Sequence, residues 1–98
     1  MKSIEKKLER KLKAQVKELG GLSLKWVSPG FRGVPDQIVF MPGRRLYLCE
    51  LKDGGLTFGP IQRIVKSMLF KLGFIVDLIN SEEVLESFVG KLKRDQTA

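Results

Sequence analysis

The sequence contains no histidine and a single cysteine, Cys49. Without histidine, Ser-His-Asp and Cys-His catalysis are excluded, as are the common Cys/His zinc sites. A lone cysteine excludes an internal disulfide. Aromatic residues are few, with one Trp and one Tyr. No apolar run exceeds the length of a strand, so no transmembrane span is expected. The start, MKSIEKKLERKLK, is charged and periodic and does not read as a secretory signal. Any metal would therefore need oxygen ligands, which suit a hard ion such as magnesium, manganese or calcium.

Acidic residues are also scarce relative to basic ones. There are 18 Lys and Arg against 11 Asp and Glu, giving a net charge of +7 and a pI near 9.8. The excess is concentrated in residues 1–25, where Lys2, Lys6, Lys7, Arg10, Lys11, Lys13, Lys17 and Lys25 face only Glu5, Glu9 and Glu18. Such an imbalance points to a polyanionic partner: nucleic acid first, an anionic membrane surface second. With 98 residues, 43% of them hydrophobic and 30% charged, the chain reads as one globular domain over 1–98.

What is present is a regular alternation of periods. Ile4, Leu8, Leu12, Val16 and Leu19 recur at helical spacing, and Gly20-Gly21 ends the stripe. LSLKWVS alternates as a strand, which places Leu22, Leu24 and Trp26 in the core. DQIVFM and RLYLCELK flank Pro42-Gly43-Arg44 and predict a hairpin. Pro60 suits the first turn of a helix with apolar positions Ile61, Ile64, Val65, Met68, Leu69 and Leu72. FIVDLI predicts a strand buried on both faces, and NSEEVLESFVGKLK a last helix capped by Asn80 or Ser81. The tail, 94–98, is expected to fray. The class is α/β: a mixed central sheet, partly antiparallel and partly parallel, flanked by helices.

The hairpin carries three charges where strand chemistry asks for Val and Ile. Residues alternate faces along a strand, so Glu50 and Lys52 point the same way. A turn centred on Gly43 sets Asp36 opposite Glu50 on that same side, with Cβ atoms about 4.5–5.5 Å apart. Two bare carboxylates that close repel each other, and a divalent cation between them relieves the repulsion. Lys52 can orient a water or stabilise charge on a phosphate oxygen. Read alone, Glu50 and Lys52 are also an ordinary same-face ion pair.

PD before a strand, followed after a hairpin by ELK, resembles the PD-(D/E)XK nuclease superfamily. More narrowly, GG after a basic helix, KWVSPGFRGVPDQIV, PGRRLYLCELK and GPIQ resemble the VRR-NUC, or virus-type replication-repair nuclease, group over roughly residues 4–80. The resemblance implies a restriction-endonuclease-like αβββαβ core with a C-terminal helix. It implies a metal-dependent endonuclease acting on branched DNA such as Holliday junctions, in replication, repair or recombination. It implies Mg2+, with Mn2+ able to substitute, a homodimer, and a cytoplasmic setting in a bacterial or phage-infected cell. Under it, Asp36 and Glu50 are metal ligands, Leu51 contributes its backbone carbonyl, and Lys52 is the catalytic lysine. Glu5 matches the acidic residue of the first helix and is a further metal candidate, with Glu9 its rival. Gln62 matches the glutamine of the second helix. Gly59 departs from the Ser or Thr frequent at that helix start, which predicts a looser start. Lys25 and Ser28 match the pattern and, with Arg32, Arg44 and Arg45, are candidate DNA contacts that position backbone without reading sequence. Phe31, on a loop, is a candidate stacking or wedge residue, and Cys49 is expected in the core. The competing class of function is a non-catalytic nucleic-acid-binding module on the same fold.

Overall fold

The computed structural model describes residues 3–97; Met1, Lys2 and Ala98 of the expected 1–98 domain lie outside the described residues. Seven elements follow one another: α1 (Ile4–Glu18), β1 (Leu22–Lys25), β2 (Gln37–Met41), β3 (Arg45–Leu51), α2 (Pro60–Lys71), β4 (Val76–Ile79) and α3 (Glu82–Thr97). The strands form one sheet in the order β1-β2-β3-β4. The first two pairings are antiparallel and the third is parallel, with α2 as the crossover. This is the mixed α/β arrangement that the periodicities predict.

The hairpin register is the expected one. Gln37 pairs with Cys49, Ile38 with Leu48 and Val39 with Tyr47. The turn closes through left-handed backbone at Gly43 (φ 84°) and Arg44 (φ 63°). Extended by one residue, the ladder sets Asp36 against Glu50.

The core lies on one face of the sheet, under α1 and α3. Leu8, Leu12 and Val16 of α1 meet Val39, Met41, Cys49 and Leu51 of the hairpin, Ile79 of β4, and Leu85, Phe88, Val89 and Leu92 of α3. Cys49 is fully buried there, as expected, and burial pushes its thiol far up, so it is chemically quiet. Ser3 caps α1 by accepting a hydrogen bond from the Lys6 N–H, and Ser81 caps α3 through the Val84 N–H.

The other face departs from the sequence reading. Leu22 and Leu24 are 54% and 46% exposed, whereas the polar Ser23 between them is buried. β1 therefore turns its polar side inward, because Ser23 Oγ donates to the buried Gln37 Oε1 beneath α1. Trp26 shares the outward parity of these leucines and is only half-buried, not core. In α2 only Val65 is buried; Ile61, Ile64, Met68 and Leu72 are exposed. β4 is shorter than FIVDLI, since Phe74 and Ile75 precede it and are exposed, and it is an edge strand rather than one buried on both faces. The last expectation to fail concerns the tail. Residues 94–97 continue α3, because Tyr47 Oη donates to Asp95 Oδ2 (2.6 Å), Arg45 donates to the Asp95 carbonyl, and Gln96 Nε2 donates to the Leu19 carbonyl (2.8 Å).

One glycine fixes the approach of the loop before β2. Gly33 has φ +90°, and a Cβ there would lie 2.6 Å from Ile61 Cγ2 and 2.9 Å from Val65 Cγ2. Gly33→Ala is expected to destabilise the fold by about 2 kcal/mol or more, from left-handed strain and from the α2 contact together. Thermal unfolding measures it, and an unchanged Tm would contradict the close packing.

Candidate active site

The site forms at the end of the hairpin remote from its turn, where strand geometry brings two carboxylates together. Glu50 lies inside β3 and is only 2% exposed. Asp36, half-buried, immediately precedes β2, and its carbonyl accepts the Trp26 N–H (2.7 Å), which extends the β1–β2 ladder to the site. Asp36 Oδ2 accepts the Leu51 N–H at 3.0 Å, so the aspartate is tied across to β3. Lys52 Nζ stands 3.6 Å from Glu50 Oε2, and the Lys52 N–H donates to the Ile79 carbonyl, which fixes the lysine where β3 leaves β4.

Gln62 has two tasks. Its Oε1 accepts the Gly59 N–H (2.8 Å), and its Nε2 donates to Glu50 Oε2 (2.6 Å). Gly59 has no side chain to cap α2, so Gln62 supplies the reaching-back half of a capping box. The helix start is thereby held to the carboxylate rather than loosened by Gly59.

The two oxygens of Glu50 differ. Oε2 receives Gln62 and faces Lys52, whereas Oε1 is buried with no hydrogen-bond partner. Burial and the nearby Asp36 charge push the Glu50 pKa from 4.5 up to about 7, against the pull of Lys52 and Gln62. Asp36 is also raised, first by burial, with the Leu51 N–H, Lys52 and Lys25 opposing. Folding has thus gathered carboxylates that resist ionising together, and it leaves one buried acceptor unmatched. A buried polar atom without a partner is costly.

The first helix presents both of its candidate acids here. Glu5 is raised by burial and then by Asp36 and Asp53. Its backbone N–H donates to Asp53 Oδ1 (2.8 Å), so Asp53 pins the first turn of α1 to the loop after β3. Glu9 is already engaged: its Oε2 accepts from Gln37 Nε2 (3.2 Å) and pairs with Lys13 (3.5 Å). Glu5 has no ion-pair partner within 4 Å among the described residues. The sequence reading missed Asp53 and Gln37. A buried Gln directly after the Asp, in a strand otherwise of Ile, Val, Phe and Met, was the available signal for the second.

The remaining candidates separate by place. Lys25 pairs with Gln37 in the ladder, and its charge acts on Asp36, so it belongs to the site. Ser28 and Arg32 lie on the loop leading to Asp36; the Ser28 carbonyl accepts the Phe31 N–H and Arg32 is exposed. Phe31 is 48% exposed on the same loop. Arg44 and Arg45 lie at the opposite end of the hairpin, and Arg45 is occupied by the Asp95 carbonyl, so the fold does not bring these two to the site.

The chain resembles the phage protein named "Putative nuclease p44" of Acyrthosiphon pisum secondary endosymbiont phage 1, with 36% identity over 80 residues, covering 82% of this chain and 86% of that protein. A solved structure described as a VRR_NUC domain superposes with a TM-score of 0.85 at 24% identity, over 91% of this chain and 97% of that one. This chain is a relative of that phage protein and has the VRR-NUC fold. No family model matches the sequence. The VRR-NUC fold is thus the one described above, with its four-stranded mixed sheet, its flanking helices and its C-terminal helix.

On this fold the chain offers a hard cation a specific donor set. Its carboxylate oxygens on Asp36 and Glu50, one of them buried and unmatched, suit magnesium or manganese. Among the described residues no three His, Cys, Asp or Glu side chains converge into a complete ligand group. Two carboxylates are nevertheless what magnesium commonly takes from a protein, with water and substrate phosphate filling its other positions. The residues present fit such an ion.

Proposed function

We propose that this VRR-NUC domain is a metal-dependent endonuclease that hydrolyses phosphodiester bonds in branched DNA, such as Holliday junctions, in the cytoplasm of a bacterial or phage-infected cell. The reading is supported above all by the buried, unpartnered Oε1 of Glu50, set beside Asp36 with Lys52 at 3.6 Å. The nuclease name of the phage relative agrees with it. Asp36 and Glu50 would hold Mg2+ or Mn2+, with the Leu51 carbonyl as a further ligand and Glu5 acting through a bound water. Bound there, the ion would polarise the phosphate and acidify water. Gln62 orients Glu50 by its hydrogen bond, and the Leu51 N–H orients Asp36. Lys52 would orient the attacking water and stabilise charge on a phosphate oxygen. Lys25, Ser28 and Arg32 flank the approach and would position backbone. A labelled four-way junction incubated with and without magnesium tests this. Cut products are expected only with magnesium or manganese, and binding without cutting would favour the non-catalytic module.

The same proposal includes a homodimer. Leu22, Phe40 and Leu46 form one exposed row across β1, β2 and β3, at 54%, 42% and 40%, with Leu24 in the next row. Ile64 and Met68 of α2 are exposed as well. Apolar patches of this kind mark association surfaces, and a second copy would supply a second site for a junction with paired strands. Phe40→Glu places a charge in the row without touching the core under α1. It is expected to halve the molar mass measured by light scattering, whereas a wild type already of one-chain mass would refute the dimer.

A further inference from the structure

We propose that the outer face of α1 is a track for the nucleic-acid backbone, with Lys6, Arg10, Lys13 and Lys17 holding successive phosphates of the strand that passes the Asp36–Glu50 site. This rests on the nuclease reading and adds to it the surface that carries the substrate beyond the scissile bond. The four residues are exposed and spaced four, three and four apart, so they share one helical stripe. The other charges of the helix are directed elsewhere. Glu5 and Glu9 lie on the flank facing the site, where Asp36 and Gln37 feel them. Lys11 pairs with Glu82 of α3, and the Lys7 charge also acts on Glu82, on the opposite flank. Among the described residues, Lys6, Arg10 and Lys17 have no acidic partner within 4 Å, and Lys13 has only Glu9 at 3.5 Å.

Burial separates the two polyanions that a basic amphipathic helix suggests. A membrane-surface helix inserts its apolar face into the lipid. Here Leu8, Leu12 and Val16 are 1%, 0% and 0% exposed, consumed by the core. What the stripe from Lys6 to Lys17 offers outward is charge, which fits a phosphodiester chain. The stripe is also continuous with the site. Lys13 touches Glu9, Glu9 accepts from Gln37, and Gln37 lies in the ladder beside Lys25, whose charge reaches Asp36. From Lys6 to Lys17 the helix rises about 16 Å, which matches roughly five nucleotides at about 3.4 Å each.

The test measures binding of a fluorescent four-way DNA junction in EDTA across a salt series, separately from cleavage. Lys6→Gln/Arg10→Gln/Lys17→Gln is compared with wild type and with Lys71→Gln/Lys93→Gln/Arg94→Gln, which removes equal charge from exposed positions on α2 and α3. Glutamine keeps helix propensity close to that of Lys and Arg, and Arg10→Gln alone serves as a milder variant. The α1 triple variant is expected to lose about 2–3 units of the salt slope and at least tenfold in affinity at low salt, Arg10→Gln about one unit, and the control less than one. Equal slopes for the α1 and control variants, with wild type binding and cutting, would overturn the track alone. Wild type that binds no DNA would overturn the nuclease reading with it. Binding to phosphatidylserine vesicles that is lost in the α1 variant, with the DNA slope unchanged, would reassign the stripe to membrane.

Discussion

Asp36→Asn and Lys52→Ala are each expected to lower the rate of junction cleavage by about a thousandfold or more, roughly 4 kcal/mol of barrier, while junction affinity changes by less than about threefold. The structure lets both variants fold. An Asn at position 36 keeps an oxygen that can accept the Leu51 N–H now held at 3.0 Å. An Ala at position 52 keeps the backbone hydrogen bond to the Ile79 carbonyl and removes only a side chain that is 22% exposed. What each variant loses is charge: the negative charge that would hold the cation, or the cation placed beside Glu50. Single-turnover cleavage with enzyme in excess separates this from weakened binding. Full-rate cleavage by Lys52→Ala would sink the mechanism, and equal junction binding by all three proteins with no cleavage by wild type in magnesium or manganese would favour the binding module.

The second large effect is on stability and reverses with pH. Glu50 has its pKa raised from 4.5 to about 7 by burial and by Asp36. A raised carboxylate favours the fold in its protonated form. Its contribution is therefore full below about pH 4.5, and it is lost as pH climbs through 7. Over that window the loss amounts to about 3 kcal/mol at most. Glu50→Gln resembles the protonated acid at every pH. In the presence of a chelator it is expected to match wild type near pH 4.5 and to exceed it at pH 8, by on the order of 10 °C in Tm for a domain of this size. Millimolar magnesium at pH 8 is expected to raise the wild-type Tm and narrow the gap, since a ligand that binds only the folded site stabilises it. The variant should be catalytically dead throughout. A Tm difference that does not change with pH would show that Glu50 is not held against ionisation.

The site and the frame around it were legible to very different extents. Asp36, Glu50 and Lys52 could be placed because a hairpin obeys arithmetic: once Gly43 is the turn, alternation and pairing fix which side chains share a face. Gln62 followed from the motif, but its double bond to Gly59 and Glu50 did not, since a helix start and a strand interior meet only in three dimensions. The same limit explains why Glu9 stood as a rival to Glu5. They lie four residues apart on one flank, and only Gln37 and Lys13, arriving from another strand and the next turn, occupy Glu9 and leave Glu5 open toward Asp36.

Local chemistry in the sequence determined the order of elements, the hairpin register, the α1 stripe and the acid pair at the strand ends, because each depends on spacing within a short stretch of chain. Tertiary structure decided which face of each element is inside. Leu22 and Leu24 face outward and Ser23 inward because α1 covers the side where Gln37 needs a partner. The apolar stripe of α2 stays largely exposed because α1 and α3 already bury the other face of the sheet and α2 sits by the edge strand β4. Residues 94–97 remain helical because Tyr47, Arg45 and Leu19, all distant in sequence, hold them. Periodicity records that a side is apolar; what covers that side depends on where other elements land, and that information is shared among residues far apart along the chain.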